Sequence, residues 1–83
     1  MTDITQEEIL EMVNQILQIN GIEITDYNED ISTLGISSID FIQIVVSIEE
    51  TYSIEIPDEY LNIFNMNSIS KIYEIVGQIL SAD

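Results

Sequence analysis

Cysteine and histidine are absent from this chain, and Lys71 is its single basic residue against 16 acidic ones. Without cysteine, neither a disulfide nor a thiolate metal site can form. Nucleophile activation by a Ser-His-Asp or a Cys-His arrangement is excluded too, because both need residues that the chain lacks. Carboxylates alone can perform acid–base chemistry, but so many of them in a short chain single out no pair. The composition therefore argues against an enzyme.

Positive charge and long apolar runs are also scarce. The formal net charge of −15 repels nucleic acids and anionic membrane surfaces, because both normally bind clustered Lys and Arg. A membrane span needs ~18 or more apolar residues in a row, and no segment approaches that length. No basic segment precedes an apolar one, as it would in a signal peptide. We therefore expect a cytoplasmic protein that binds proteins with basic surfaces, with no nucleic acid partner and no membrane insertion.

The chain does contain enough apolar material for one small core. Hydrophobic residues make up 46% of the 83, and a chain of this length has room for one domain. Met1 lies just before a helix start signal, and no linker rich in Pro, Gly or Ser interrupts the sequence. The expectation is a single free-standing domain over residues 1–83, present as a monomer.

Four segments carry helical signals. Residues 5–8, Thr-Gln-Glu-Glu, match a capping box and predict the start of a first helix, which Asn20-Gly21 ends. A second helix is predicted from about Ser38 to Tyr52. The Pro-Asp-Glu of residues 57–59 suits the first turn of a short third helix that continues to about Phe64. Asn67 or Ser68 can cap a fourth helix.

Residues 22–37 mix turn formers with apolar residues and show no sustained period, which predicts a long loop pinned by apolar anchors. Asp26, Asn28 and Asp30 resemble the opening of a calcium loop. That motif needs Gly at its sixth position and Glu at its twelfth, where this chain has Ile31 and Ser37. No calcium site is therefore predicted.

The fold class follows from the lengths of these patterns. The abundant isoleucines and the Ile-Glu-Ile alternation of residues 54–56 favour strands, but the helical periods are longer. We therefore predict an all-α fold, a four-helix bundle with a short third helix and a long loop between helices 1 and 2.

The second predicted helix is apolar on two sides. One face, predicted to join the core, carries Phe41, Ile44, Val45, Ile48 and Tyr52. The opposite face carries Ile39, Ile42 and Val46, with Glu49 and Glu50 at its borders. One small core cannot bury both faces, so the second face is a candidate docking surface. For Ile42 and Val46, packing beneath the loop or the third helix is an equal alternative.

A composite motif spans the second helix. Residues 34–40 are Leu-Gly-Ile-Ser-Ser-Ile-Asp, residues 49 and 50 are paired glutamates, and residues 54–59 are Ile-Glu-Ile-Pro-Asp-Glu. The pattern resembles that of acyl carrier proteins, which have Leu-Gly-x-Asp-Ser-Leu-Asp, a helix ending in paired glutamates, and a stretch like Ile-Pro-Asp-Glu. The resemblance extends over most of the chain, and its length makes it specific.

The resemblance implies that Ser38 carries 4′-phosphopantetheine. A phosphopantetheinyl transferase would attach it from coenzyme A with magnesium, and its thiol would hold acyl or aminoacyl groups as thioesters. The residues agree with this placement, because Ser37 can cap the second helix with Ser38 first and Asp40 third in it. A phosphodiester there meets the positive end of the helix dipole, worth ~0.3–1 kcal/mol when exposed.

The resemblance also implies partners. Acyl- or aminoacyl-loading and processing enzymes with basic docking surfaces would bind the second helix. The predicted docking residues are Ile39, Asp40, Ile42, Val46, Glu49 and Glu50. The pathway is left open among fatty acid, polyketide, nonribosomal peptide and D-alanine transfer.

Two departures from the family pattern stand out. The family's common Asp before the serine is Ser37 here, which leaves open the efficiency of modification and the choice of transferase. The stretch from Tyr60 to Asn67 is longer than in typical fatty acid carriers and looks more like carriers of the other three pathways.

Two rival interpretations make no use of a prosthetic group. Ser37 and Ser38 can be a capping pair only, in an acidic helical module that binds proteins or mimics nucleic acid. A weaker rival is a carboxylate-based enzyme or a cation-binding protein. Intact mass after co-expression with a transferase separates the carrier from the module.

Overall fold

A computed structural model of the protein describes residues 4–62 and 65–81. Over these residues the structure is all-helical, as predicted. The α-helices are α1 (Gln6–Leu17), α2 (Ser38–Tyr52) and α3 (Ile69–Ser81), and single 3₁₀ turns occupy Gln18–Asn20, Ile31–Thr33 and Asp58–Tyr60. The predicted bounds of the second helix are confirmed. None of the described helices has the length and hydrophobicity of a transmembrane segment.

The predicted short third helix differs from the structure. Asp58–Tyr60 is one 3₁₀ turn, preceded by the extended Pro57. Leu61 has φ −78° and ψ 64° and leaves the helical conformation, which ends the turn. The predicted end at Phe64 lies outside the described residues. With three α-helices in the part of the chain that is described, the prediction of four is not confirmed.

The start of α1 confirms half of the predicted capping box. The Thr5 hydroxyl accepts a hydrogen bond from the Glu8 amide at 3.1 Å, which satisfies one of the free amides of the first turn. The Glu8 carboxylate accepts a hydrogen bond from the Tyr52 hydroxyl at 3.1 Å instead of returning to the cap. Glu8 thus connects the start of α1 to the end of α2.

The core lies where the three α-helices meet, with further residues from the connections between them. Burying one large aliphatic side chain stabilises a fold by ~1.5–3 kcal/mol. The core residues are Ile9, Val13, Leu17, Ile24, Ile31, Ile44, Val45, Ile48, Tyr52, Ile56, Met66, Ile69, Ile72, Ile75 and Val76. The three α-helices supply most of them, and the face of α2 that was predicted for the core supplies Ile44, Val45, Ile48 and Tyr52.

Two polar contacts tie the connection between α1 and α2 to the bundle. The Asn14 side chain donates to the Ile24 carbonyl at 2.9 Å and accepts from the Ile24 amide at 2.7 Å. The Ile31 amide donates to the Asn67 carbonyl at 2.6 Å. Both isoleucines are buried, so the predicted apolar anchors are held by backbone hydrogen bonds as well as by burial.

The start of α3 decides between the two predicted caps. The Ser68 hydroxyl accepts a hydrogen bond from the Lys71 amide at 3.2 Å. The Ser70 amide donates to the Tyr27 carbonyl at 3.0 Å, and its hydroxyl donates to the Asn28 side chain at 2.9 Å. The first turn of α3 is therefore bound to the α1–α2 connection.

Tyr52 is the one aromatic side chain among the buried residues of the described part of the chain. Its burial, together with the hydrogen bond to Glu8 and the negative charge of that carboxylate, raises the pKa of Tyr52 to about 12 from 10.0. The folded state therefore favours the protonated hydroxyl.

We expect stability to fall as the pH rises from 10 towards 12. The unfolded chain loses this proton at the ordinary tyrosine pKa, near ~10, whereas the folded chain keeps it until about 12. Unfolding then releases a proton and becomes more favourable with pH. Chemical denaturation across this range should show a smaller fall for Tyr52→Phe, and Glu8→Gln should lower the pH at which Tyr52 ionises. An equal fall in the wild type and Tyr52→Phe would contradict this account.

Candidate functional site

The N-terminus of α2 is closed by a reciprocal capping box. The Ser37 hydroxyl accepts a hydrogen bond from the Asp40 amide at 3.1 Å. In return, the Asp40 carboxylate accepts from the Ser37 amide at 3.4 Å, a longer and weaker bond. A serine cap of this kind contributes about 1 kcal/mol to helix stability. The cap fixes the residue at which α2 begins.

Ser38 is the first residue of α2 and is exposed. Its hydroxyl has no hydrogen bond within the described part of the chain, whereas the Ser37 hydroxyl is bound to the Asp40 amide. Two adjacent serines therefore have different roles. One closes the helix, and the other presents its oxygen to solvent at the helix N-terminus.

A groove of about 700 Å³ borders Ser38. Side chains of α2 form its floor, and the segments around Ser32 and Leu61 form its walls. It is lined by Ser32, Ile36, Ser37, Ser38, Phe41, Ile42, Val45, Val46, Glu49, Leu61 and Asn62. Phe41, predicted for the core, is only half-buried, because it lies between the core and this groove.

The predicted outward face of α2 is exposed. Ile39, Ile42 and Val46 have exposed fractions of 69%, 58% and 43%. Ile42 and Val46 line the groove, so the described connections leave them open to solvent and do not pack over them. These three side chains, with Ser38 at one end, form an apolar surface that we call the α2 stripe.

The three acidic residues predicted for docking have unequal surroundings. The Asp40 carboxylate accepts a hydrogen bond from the Asn20 side chain at 2.7 Å, in addition to its part in the capping box. The Glu49 carboxylate accepts from the Ile56 amide at 2.8 Å and is half-buried. Glu50 is exposed. The sequence did not indicate the contact of Asp40 with Asn20 or that of Glu49 with Ile56.

Asp26 and Asp30, the residues of the failed calcium pattern, serve the local backbone. The Asp26 carboxylate accepts from the Asn28 amide at 2.8 Å, and the Asp30 carboxylate accepts from the Ser32 amide at 2.9 Å. In each of these turns the aspartate side chain accepts the hydrogen bond that a backbone carbonyl accepts in an ordinary turn. The acidic pattern thus shapes the connection that leads to Ser37.

Comparison with known proteins identifies the family of this chain. The family described as the phosphopantetheine attachment site matches residues 7–76. The acyl carrier protein of Helicobacter pylori is 29% identical over 69 residues, which cover 82% of this chain and 88% of that protein. The acyl carrier protein of Wolinella succinogenes is 36% identical over 53 residues, which cover 64% of this chain and 70% of that protein. No solved structure gives a significant match.

The chain therefore belongs to the acyl carrier protein family. Proteins of this family are carriers and not enzymes, and phosphopantetheine is the group that they hold. They interact with the enzymes that modify and process them.

We expect Glu49 and Glu50 to differ in their effect on stability. Glu49→Ala leaves the Ile56 amide without its acceptor, which should lower the free energy of unfolding by ~1–3 kcal/mol. Glu49→Gln keeps an acceptor oxygen and should lose less. Glu50→Ala is the matched control and should stay within about ±0.5 kcal/mol. Chemical denaturation measures all three, and equal effects of the two alanine variants would contradict the role given to Glu49.

The two faces of α2 give a second stability test with one residue type. Ile44→Ala removes a buried side chain and should cost about 2–5 kcal/mol. Ile39→Ala alters the α2 stripe and should change stability by no more than about 0.5 kcal/mol. Thermal or chemical denaturation decides, and a loss at Ile39 as large as that at Ile44 would show that the stripe is part of the core.

Proposed function

We propose that Ser38 is the attachment residue for 4′-phosphopantetheine and that the chain carries acyl or aminoacyl groups between enzymes. The observation that carries this proposal is the difference between the two adjacent serines. Ser37 uses its hydroxyl to cap α2, and Ser38 has its hydroxyl exposed and without a partner in the described residues. A transferase needs a hydroxyl that can be reached without opening the helix.

The surroundings of Ser38 fit a phosphodiester. The oxygen lies at the N-terminus of a 15-residue helix, where free amides and the helix dipole favour an anion. The groove beside it leaves room for a bulky substituent. When bound, the group supplies a thiol that holds the cargo as a thioester.

The α2 stripe and Glu50 support docking of partner enzymes. An apolar surface next to the attachment residue suits the central contact of an interface, and an exposed carboxylate at its border suits a basic rim. Rim charges act mainly on the association rate, so contacts of this kind form quickly and separate readily. The partners proposed are a phosphopantetheinyl transferase and loading or processing enzymes with basic surfaces.

The cargo belongs to one of four pathways: fatty acid, polyketide, nonribosomal peptide or D-alanine transfer. We propose that residues 1–83 act as a single carrier domain, as a monomer in the cytoplasm. The bundle of α1, α2 and α3 supports the single domain, because all three helices contribute to one core.

We expect incubation with coenzyme A, magnesium and a transferase of broad specificity to add one phosphopantetheinyl group, measured by intact mass. Ser38→Ala should abolish the addition because it removes the accepting oxygen. Ser37→Ala is the matched control. It removes the cap, at a cost of ~1 kcal/mol, but leaves the Ser38 hydroxyl, so it should still be modified.

Two outcomes would overturn the proposal. Modification that persists in Ser38→Ala but is lost in Ser37→Ala would move the site by one residue. No addition to the folded wild-type protein with several active transferases would favour an acidic interaction module without a prosthetic group.

A further inference from the structure

Asn20 joins the end of one helix to the start of another. It is the last residue of the 3₁₀ turn that follows α1, and its side-chain nitrogen donates to the Asp40 carboxylate at 2.7 Å. The same carboxylate oxygen accepts from the Ser37 amide at 3.4 Å. Asp40 therefore accepts one hydrogen bond from Ser37, the cap of its own helix, and a shorter one from Asn20, in the turn that follows α1.

The backbone holds Asn20 at this position. Gly21 follows it with φ 74°, the left-handed conformation that glycine adopts readily. The Gly21 amide donates to the Gln18 carbonyl at 3.0 Å, and the Ile22 amide donates to the Leu17 carbonyl at 3.1 Å. The paired bonds and the left-handed residue form a helix-ending turn. Asn20 thus reaches Asp40 from a fixed backbone.

We propose that Asn20 is a positioning residue for modification at Ser38 and that it acts through Asp40. The inference rests on the proposed function of Ser38. Asp40 is the acidic residue in the first turn of α2, two residues after Ser38, so its carboxylate lies in the surface that a transferase must cover. The bond from Asn20 fixes the direction in which this negative charge is presented.

The hydrogen bond between Asn20 and Asp40 is exposed. Its effect on docking can therefore be measured apart from its effect on folding. An exposed hydrogen bond contributes little to global stability because water replaces either partner. Without Asn20, however, the Asp40 side chain must be immobilised during binding, and that cost falls on the complex. Removal of the Asn20 side chain should therefore lower the affinity for the transferase and leave the melting temperature unchanged.

The test measures steady-state modification of the unmodified protein by a transferase with coenzyme A and magnesium. Asn20→Ala should raise KM for the carrier roughly two- to tenfold, the cost of ordering one side chain in a complex, with kcat and melting temperature retained. Gln18→Ala, an exposed change in the same turn, is the control and should alter neither constant. In an Asp40→Ala background, Asn20→Ala should have no further effect on KM.

Two results would overturn the inference: an unchanged KM in Asn20→Ala, or an equal rise in KM when Asp40 is already alanine. A second readout needs no transferase. Three-bond NMR couplings should show one χ1 rotamer for Asp40 in the wild type and averaging in Asn20→Ala, and averaging in both would contradict the role of Asn20. If the wild type is not modified at all, the proposed function fails, while the rotamer measurement still decides whether Asn20 fixes Asp40.

Discussion

The hydrogen bond from the Asp40 amide to the Ser37 hydroxyl, at 3.1 Å, is the contact that distinguishes the two adjacent serines at the start of α2. It caps α2 immediately before Ser38, and the 3.6-residue period of the helix places the apolar residues of α2 on two faces. From this start, Ile44 and Ile48 point into the core while Ile39 and Ile42 point to solvent. The same hydrogen bond engages the Ser37 hydroxyl and leaves the neighbouring Ser38 hydroxyl exposed.

The rest of the bundle leaves the N-terminus of α2 exposed to solvent. Asn14 pairs with both backbone groups of Ile24, and the Ile31 amide binds the Asn67 carbonyl, so the long connection is held against α1 and against the residues that precede α3. Its last residues reach Ser37 without covering Ser38, which stays exposed. The core takes up the opposite face of α2, so Ile39, Ile42 and Val46 beside Ser38 remain exposed.

Local signals in the sequence predicted much of this arrangement. Apolar spacing and a Ser-x-x-Asp cap indicated α2 from Ser38 to Tyr52. The helical period of the same residues indicated its two apolar faces. The contacts of Glu49 with Ile56, of Asp40 with Asn20 and of Tyr52 with Glu8 were not predictable. Each polar side chain had several possible partners, and tertiary packing chose among them. Pro57 indicated a helical start correctly, but no local signal told one 3₁₀ turn from a longer helix. The proposal that Ser38 is the attachment residue came from the family resemblance, and the structure adds that the hydroxyl of its neighbour Ser37 caps α2.

Ser37 has a structural role as the cap of α2, whereas Ser38 is the proposed carrier of the prosthetic group. A direct observation of the phosphodiester linkage tests that division. In the wild-type protein labelled with ¹³C and modified from coenzyme A, NMR can detect scalar coupling between phosphorus and the β-carbon of the residue that bears the ester. The account predicts this coupling at Ser38 alone, with the Asp40 amide still hydrogen-bonded to Ser37. Coupling at the Ser37 β-carbon, or at neither serine in a modified protein, would contradict it.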